Sequence, residues 1–268
     1  MLRAVLFDFG DTLINFEPLD TRAVFREAAH KTYDYLRERG VSLPGFERYC
    51  GRLYRLVKWK YVWAKLTGRE FNSLDLLRGY LTEVTGKADE AALLELAWLW
   101  YLPLKAHTSV EAHCAEVLAR LRDAGLKLGI VSNTFVPGAV LDRHLQMDGL
   151  LEFFPVRVYS SEVGYRKPSA RIFTTALAGL GVEAGEAVFV GDLVKTDIVG
   201  ARRAGMRTVL KQPWCGRGGG HRLADAVIER LEELPALLER LGRNGQPARG
   251  VSTLPDPAAQ RPLAMERR

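Results

Sequence analysis

Apolar and polar positions along this chain fall into distinct textures. Near the amino terminus Val5-Leu6-Phe7 is a short apolar run that ends on a carboxylate, in Asp8-Phe9-Gly10-Asp11-Thr12-Leu13. So short a run, bounded by a turn, reads as a buried strand, and Gly10 lets the backbone turn tightly behind it. From about Phe16 to Pro103 the spacing becomes helical and the content aromatic. Val24, Phe25, Ala28, Thr32, Tyr35 and Leu36 follow one helix face, which Gly40 stops. Tyr54, Leu56, Trp59, Tyr61 and Trp63 alternate with Lys58, Lys60 and Lys65. Leu93, Leu94, Leu96, Ala97, Trp98 and Trp100 make a further buried helix. No strand stands out here, so the stretch predicts an all-helical unit of roughly three to five helices. Lysines interleaved with aromatics suit single-stranded nucleic acid. The favoured reading is an amphipathic bundle with its lysines in water. Trp59, Trp63 and Trp100 then face a substrate cleft, a partner or the interior of the bundle, the interior being preferred.

After Pro103 helices and strands alternate. Val110, Cys114, Val117, Leu118 and Leu121 line a helix that stops at Gly125, and Leu126 to Val131 reads as a second buried strand, ending in Ser132-Asn133-Thr134. Val156 to Tyr159 is a third strand. Ile172, Phe173, Ala176, Leu177 and Leu180 mark a helix between Pro168 and Gly181, with Pro at the first helical position and Gly past the end. Ala187 to Val190 is a fourth strand, followed by Gly191-Asp192. Ile198 to Ala204 is a helix ended by Gly205, and Arg207 to Leu210 is a fifth strand. This alternation predicts an α/β fold with a parallel sheet covered on both faces. The amino-terminal strand belongs to that sheet, because it cannot bury itself alone. The helical unit is therefore an insertion: residues 1–15 and 104–242 form the core, 16–103 the insertion and 243–268 a tail. Ala226 to Leu241 reads as a closing helix with a break at Pro235. Gly216 to Gly220, with Arg217 and His221, reads as a flexible basic loop, and the tail, without periodicity, as disordered.

Composition narrows the function classes. With 268 residues and 47% apolar content the chain can bury a sizeable core. A net charge of +6 permits anionic partners without naming one, and part of it lies in the tail. Cys50, Cys114 and Cys215 show no metal-binding spacing and read as ordinary thiols in a reducing compartment. The apolar run at the start is too short, and too soon interrupted by Asp8 and Asp11, for a signal peptide. Nothing is long and apolar enough to span a membrane. The expectation is a cytoplasmic protein with neither membrane nor nucleic acid as partner.

Polar groups of one kind gather at the strand ends: Asp8 with Thr12, Ser132 with Asn133, Lys167, and Asp192 with Asp197. Singly, each has a plain structural explanation as a cap, a turn or a solvated lysine. Jointly they stand where open α/β sheets bind ligands. Asp8 and Asp192 are hard oxygen donors that could share one Mg²⁺. A carboxylate can act as a covalent nucleophile. The Ser132 hydroxyl and the Lys167 ammonium suit phosphate oxygens, and a helix beginning just after Lys167 adds a positive field. Asp192 and Asp197 are too far round an α-helix to share a face. Asp192 is placed in the loop and Asp197 in the first turn, where it could hold a metal-bound water or orient Lys167.

These residues resemble the haloacid dehalogenase superfamily, in its subgroup with a helical cap inserted after the first motif. The matching pieces are Phe7-Asp8-Phe9-Gly10-Asp11-Thr12-Leu13, Val131-Ser132-Asn133, Arg166-Lys167-Pro168 with Ile172-Phe173, Gly191-Asp192 with Asp197, Gly200-Ala201 and Ala204-Gly205-Met206. Ala226-Val227-Ile228 followed by Leu231-Glu232-Glu233-Leu234 also looks like that subgroup's closing helix. The resemblance covers roughly residues 1 to 241. It implies a Rossmann-like core under an all-helical cap, in a Mg²⁺-dependent phosphatase of a small phosphorylated metabolite, monomeric or homodimeric. It implies Asp8 as the nucleophile that forms an aspartyl phosphate. Asp8, the Gly10 carbonyl, Asp192 and Asp197 would make the metal site, and Thr12, Ser132, Asn133 and Lys167 would bind phosphate.

One position departs from the pattern. Phosphatases of this superfamily usually carry a second Asp two residues after the nucleophile, which protonates the leaving group and then activates water. Here that position is Gly10, and the nearest carboxylate is Asp11. Loss of such a group costs about 10²- to 10⁴-fold in rate. In extended backbone the side chain at 11 points away from that at 8; in a helical turn the two share a face. The chain is thus read as a slow or specialised phosphatase in which Asp11 substitutes, or as a degenerate, non-hydrolytic binding protein. A 2-haloacid dehalogenase needs no Mg²⁺ and has little use for Asp192 with Asp197. A phosphomutase would have kept the missing acid.

Overall fold

Val5, Leu6 and Phe7 are wholly buried because a strand lies on either side of them. The computed structural model describes residues 1–85, 89–212 and 223–243. Strand β1 (Ala4–Phe7) is central in a six-stranded parallel sheet. Its companions are β4 (Lys127–Ser132), β5 (Val156–Tyr159), β6 (Ala187–Gly191), β7 (Arg207–Lys211) and β8 (Ala226–Ile228). The spatial order is β5-β4-β1-β6-β7-β8. Alternation along β1 sends Val5 and Phe7 to one face and Ala4 and Leu6 to the other. On the second face Leu6 joins Phe173, Phe189 and Met206 beneath α8 (Ala170–Leu180) and α9 (Val199–Arg203). On the first, Val5 and Phe7 join Leu118 and Leu121 of α5 (Cys114–Asp123), Leu141 and Leu145 of α6 (Gly138–Met147) and Leu237 of α10 (Leu234–Arg243).

The five expected strands are all present, and three further strands correct the reading. Ala226–Ile228 is strand β8, not the start of a closing helix. The leucine spacing at 231, 234, 237 and 238 is helical, but the helix begins only at Leu234. Pro235 stands in its first turn, where a missing N–H costs nothing, so it starts the helix instead of breaking it. The other two strands, β2 (Ile14–Phe16) and β3 (Thr108–Val110), form an antiparallel ribbon with Ile14 opposite Val110 and Phe16 opposite Thr108. Val110 therefore belongs to a strand, and α5 starts four residues later. Pro168 also lies outside its helix: it falls between the short α7 (Ser160–Val163) and α8, which begins at Ala170. The expected loop with Arg217 and His221, Cys215 and the expected tail beyond residue 243 lie outside the described residues. Cys50 and Cys114 are buried free thiols. No helix among the described residues is long and apolar enough to cross a membrane.

Between β2 and β3 run four helices: α1 (Thr21–Glu38), α2 (Phe46–Thr67), α3 (Ser73–Thr85) and α4 (Glu90–Lys105). Asp20 caps α1 by accepting from the Arg22 and Ala23 amides, and Asp89 caps α4 by accepting from Ala92. Trp98 is buried and Trp100 partly so, but Trp59 and Trp63 face solvent, against the expected interior placement.

Helix α4 is joined to α6 of the core through a buried polar network. Asp148 accepts from His144 Nε2 at 2.9 Å and from Lys105 Nζ at 2.9 Å, and the Tyr101 hydroxyl lies 2.8 Å from His144 Nδ1. Because the carboxylate only accepts, Nε2 carries the imidazole proton and Tyr101 donates to Nδ1. This uses the neutral ring, and burial, with Lys105 nearby, lowers the His144 pKa to about 4 despite Asp148. A His pKa lowered by folding stabilises the protein above its unfolded value, and that contribution is lost as pH falls from about 6.5 to about 4. Between pH 7 and 4 the loss is about 3 kcal/mol. Denaturant titrations of wild type and His144→Gln at both pH values check this. The variant is expected to lose less stability than wild type over that range, and parallel profiles would exclude His144 as the source.

Candidate active site

The carboxyl ends of β1 and β6 deliver side chains to one place. The Asp8 amide donates to the Val190 carbonyl at 2.9 Å, which pins the end of β1 to β6, and the Phe9 amide donates to Asp8 Oδ1 at 2.6 Å. Lys167, only 3% exposed, brings Nζ to 2.9 Å from Asp8 Oδ1 and 2.8 Å from Asp197 Oδ1. Asp192 follows β6 directly. Carboxylate oxygens of Asp8, Asp192 and Asp197 lie within 4.8 Å of one another. Asp197 reaches this spot through a π-helical turn over Val194–Ile198, whose wider loop folds it back beside the strand end. Only glycine fits beneath it: a Cβ on Gly191 would stand 2.6 Å from Asp197 Oδ2.

Three carboxylates here face one ammonium. Burial raises the Asp8 pKa to about 6, against the pull of Lys167 and with a further push from Asp197. Burial also raises Asp192 to about 7, helped by the negative charges of Asp8, Asp197 and Asp11. Burial works against the Lys167 ammonium, but Asp197 and Asp8 overcome it and raise its pKa. The surplus negative charge and the hard oxygen donors fit a small divalent cation. Asp197 is otherwise engaged: Oδ1 meets Lys167 and the Thr196 hydroxyl, and Oδ2 accepts from the Leu193 amide at 3.0 Å. Asp197 thus touches Lys167 directly and belongs with Asp8 and Asp192 to the group of carboxylates that could hold a metal.

The remaining expected residues are placed unequally. Ser132 closes β4 and is buried. Thr12 is buried, and its Oγ1 has no hydrogen-bond partner among the described residues. Asn133 does not present its amide to the cleft. Its Oδ1 accepts from the Lys167 amide at 2.7 Å and its Nδ2 donates to the Lys167 carbonyl at 3.0 Å, so it clamps the backbone that carries the ammonium. Asp11 adopts neither conformation considered from sequence. It is left-handed, with φ of 50°, and its Oδ1 accepts from the Phe16 amide at 3.1 Å, closing the turn into β2. It is not part of the three-carboxylate cluster.

Two groups near the site escaped the sequence reading. Lys211, at the end of β7, is buried against Glu111 Oε2 at 3.1 Å and donates to the Asp11 carbonyl at 3.2 Å. A lysine closing a buried strand was a readable signal. Glu70, in the loop between α2 and α3, is buried where it accepts from Ser160 Oγ at 3.0 Å and pairs with Arg166, the neighbour of Lys167. Nothing local marks Glu70, since its partners lie about ninety residues away.

Comparison with known proteins agrees with this geometry. The family model described as haloacid dehalogenase-like hydrolase matches residues 2–205. The chain is 30% identical over 251 residues to a ribulose-1,5-bisphosphate 5-phosphatase of Halopiger xanaduensis, covering 89% of this chain and all of that one. It is 34% identical over 216 residues to a glyceraldehyde 3-phosphate phosphatase of Pyrococcus abyssi, covering 78% and 81% of the two chains. Among solved structures, a 2-haloacid dehalogenase from Pseudomonas syringae pv. Tomato is similar at a TM-score of 0.61 and 26% identity, covering 90% of this chain and 100% of that one.

Proposed function

Because the chain belongs to the haloacid dehalogenase-like hydrolase family, we propose that it hydrolyses a small phosphorylated metabolite in the cytoplasm, with Asp8 as the nucleophile. The observation that carries this reading is the buried contact of Lys167 with both Asp8 and Asp197, next to Asp192. A carboxylate oxygen of Asp8 attacks phosphorus, the bond to the ester oxygen breaks, and the alcohol leaves once protonated. Water then attacks phosphorus in the aspartyl phosphate, releasing phosphate and restoring the carboxylate. Lys167, with the hydroxyls of Ser132 and Thr12, meets the phosphoryl oxygens as charge builds on them. Asn133 and Asp197 position Lys167. Mg²⁺ held by Asp8 and Asp192, with the Gly10 carbonyl as a further donor, would supply neutralising charge between two anions. Phosphatase-named relatives support this substrate class over a haloalkanoic acid.

A second reading has one observation in its favour. Gly10 cannot protonate a leaving group, and the Asp11 carboxylate is tied to the Phe16 amide. A chain without an acid/base could bind phosphometabolites and not turn them over. The test is hydrolysis of p-nitrophenyl phosphate, ribulose 1,5-bisphosphate and glyceraldehyde 3-phosphate with Mg²⁺, with EDTA, and with Mg²⁺ restored. Activity is expected on at least one substrate, abolished by EDTA and recovered with Mg²⁺. Equal rates with and without EDTA would refute the metal assignment, and no turnover with measurable binding would establish the second reading.

A further inference from the structure

Helix α2 carries two apolar faces. Leu53 and Ala64 are buried, and Tyr61 meets Phe135 of the core edge-on at 6.4 Å. The other face is turned to solvent. Trp59 is 63% exposed, Val62 48% and Leu66 81%, with Leu56 and Trp63 beside them. Positions 56, 59, 63 and 66 follow a three-four-three spacing, so these side chains form one continuous stripe. Among the described residues, Trp59, Val62, Trp63 and Leu66 stand outside the hydrophobic core.

The charge along this stretch is mostly of one sign. From Arg48 to Arg69 there are seven cationic residues (Arg48, Arg52, Arg55, Lys58, Lys60, Lys65 and Arg69) and no acidic one, and of these Arg52 is paired with Glu83 of α3. Lys58, Lys60 and Lys65 lie along the rings of Tyr54, Trp59 and Tyr61 at 5.8, 5.7 and 4.6 Å, with their stems on apolar surface. Sequence reading expected the lysines in water and the tryptophans inside. Instead both face outward together.

We propose that this end of α2 docks the protein on an anionic lipid surface. The apolar stripe would enter the boundary between headgroups and acyl chains, and the lysines would stay at headgroup level. The sign of the charge argues against a second copy of this chain, because pairing α2 with α2 along the stripe sets Lys58, Lys60 and Lys65 against their own copies. Leu56, Val62 and Leu66 argue against nucleic acid, since aliphatic side chains offer bases no stacking platform. Trp59, Val62, Trp63 and Leu66 stand on the convex surface of the helix, outside the apolar pocket that Leu56 lines with Leu53, Leu77 and Trp100, and offer a peptide no groove.

Co-sedimentation of the full-length chain with vesicles tests this, using phosphatidylcholine alone or in equal parts with phosphatidylglycerol. Binding is expected only to the anionic vesicles, weakened by salt. Lys58→Gln/Lys60→Gln/Lys65→Gln should lower the partition coefficient by about fivefold per lysine removed. Trp59→Glu/Leu66→Glu should abolish binding while keeping the wild-type melting temperature and activity, because both side chains are solvent-exposed. The proposal is overturned if the wild-type chain ignores anionic vesicles, or if both variants bind them as well as wild type. It is also overturned if light scattering finds a dimer that Trp59→Glu/Leu66→Glu splits, which would make the stripe an interface between copies.

Discussion

Gly10→Asp is expected to raise turnover of alkyl phosphates by about 10²-fold or more. The backbone permits it: among the described residues Asp11, His113 and seven glycines adopt positive φ, and Gly10 is not among them. A Cβ at position 10 would stand 3.2 Å from Phe16 Cε2 and 3.7 Å from Cδ2, so the ring must yield by a few tenths of an ångström. A carboxyl group there stands two residues from Asp8, in the field of Asp8 and Asp192. That field favours its protonated form, the form needed to deliver a proton to a leaving alkoxide. Substrates discriminate the cause. The nitrophenolate of p-nitrophenyl phosphate leaves readily without a proton, so its rate should rise far less than that of an alkyl ester. Equal gains on both would point to repositioning of Asp8, and no gain on either would show that the missing acid does not limit the reaction.

Asp8→Asn is expected to lower turnover by about 10⁴-fold or more without unfolding the protein. The amide has the shape of the carboxylate, and its Oδ1 can still accept from the Phe9 amide. It lacks the negative charge needed to attack phosphorus. Stability should hold or rise, because burial and Asp197 already push the Asp8 pKa up to about 6. Removing that charge relieves Asp192, and Lys167 keeps Asp197 at 2.8 Å. Melting temperature and turnover measured on one preparation separate the two effects. A variant that keeps even a hundredth of wild-type turnover would remove Asp8 from the nucleophile's role.

How much was legible in the sequence depended on how local each signal was. Val5–Phe7 and Leu126–Val131 are apolar runs that end in a turn, so strand identity and the residues at the strand ends could be read directly. Ile14–Phe16 and Thr108–Val110 are three-residue strands that pair across more than ninety positions, and no periodicity announces so short a ribbon. Ala226–Ile228 was absorbed into the helical leucine pattern that follows it. At the site, Asp8, Lys167, Asp192 and Asp197 do converge. The contacts of Asn133 and Asp197 with Lys167 are hidden from sequence for geometric reasons. One faces Lys167 across 34 positions, and the other depends on a π-helical turn, which spacing rules for an α-helix do not anticipate. Trp59 and Trp63 depart from the expected interior because α2 has two apolar faces, and a reading with one sends both inward.

The β2–β3 ribbon has an evolutionary consequence. The chain leaves the core at Phe16 and returns at Thr108, and these two residues face each other in one ladder. Everything strung between them is a cassette with adjacent ends. Recombination could replace four helices with two, or with a small sheet, without shifting any strand of the catalytic scaffold. Such an exchange would leave Asp8, Lys167 and Asp192 where they stand, since all three lie outside the cassette.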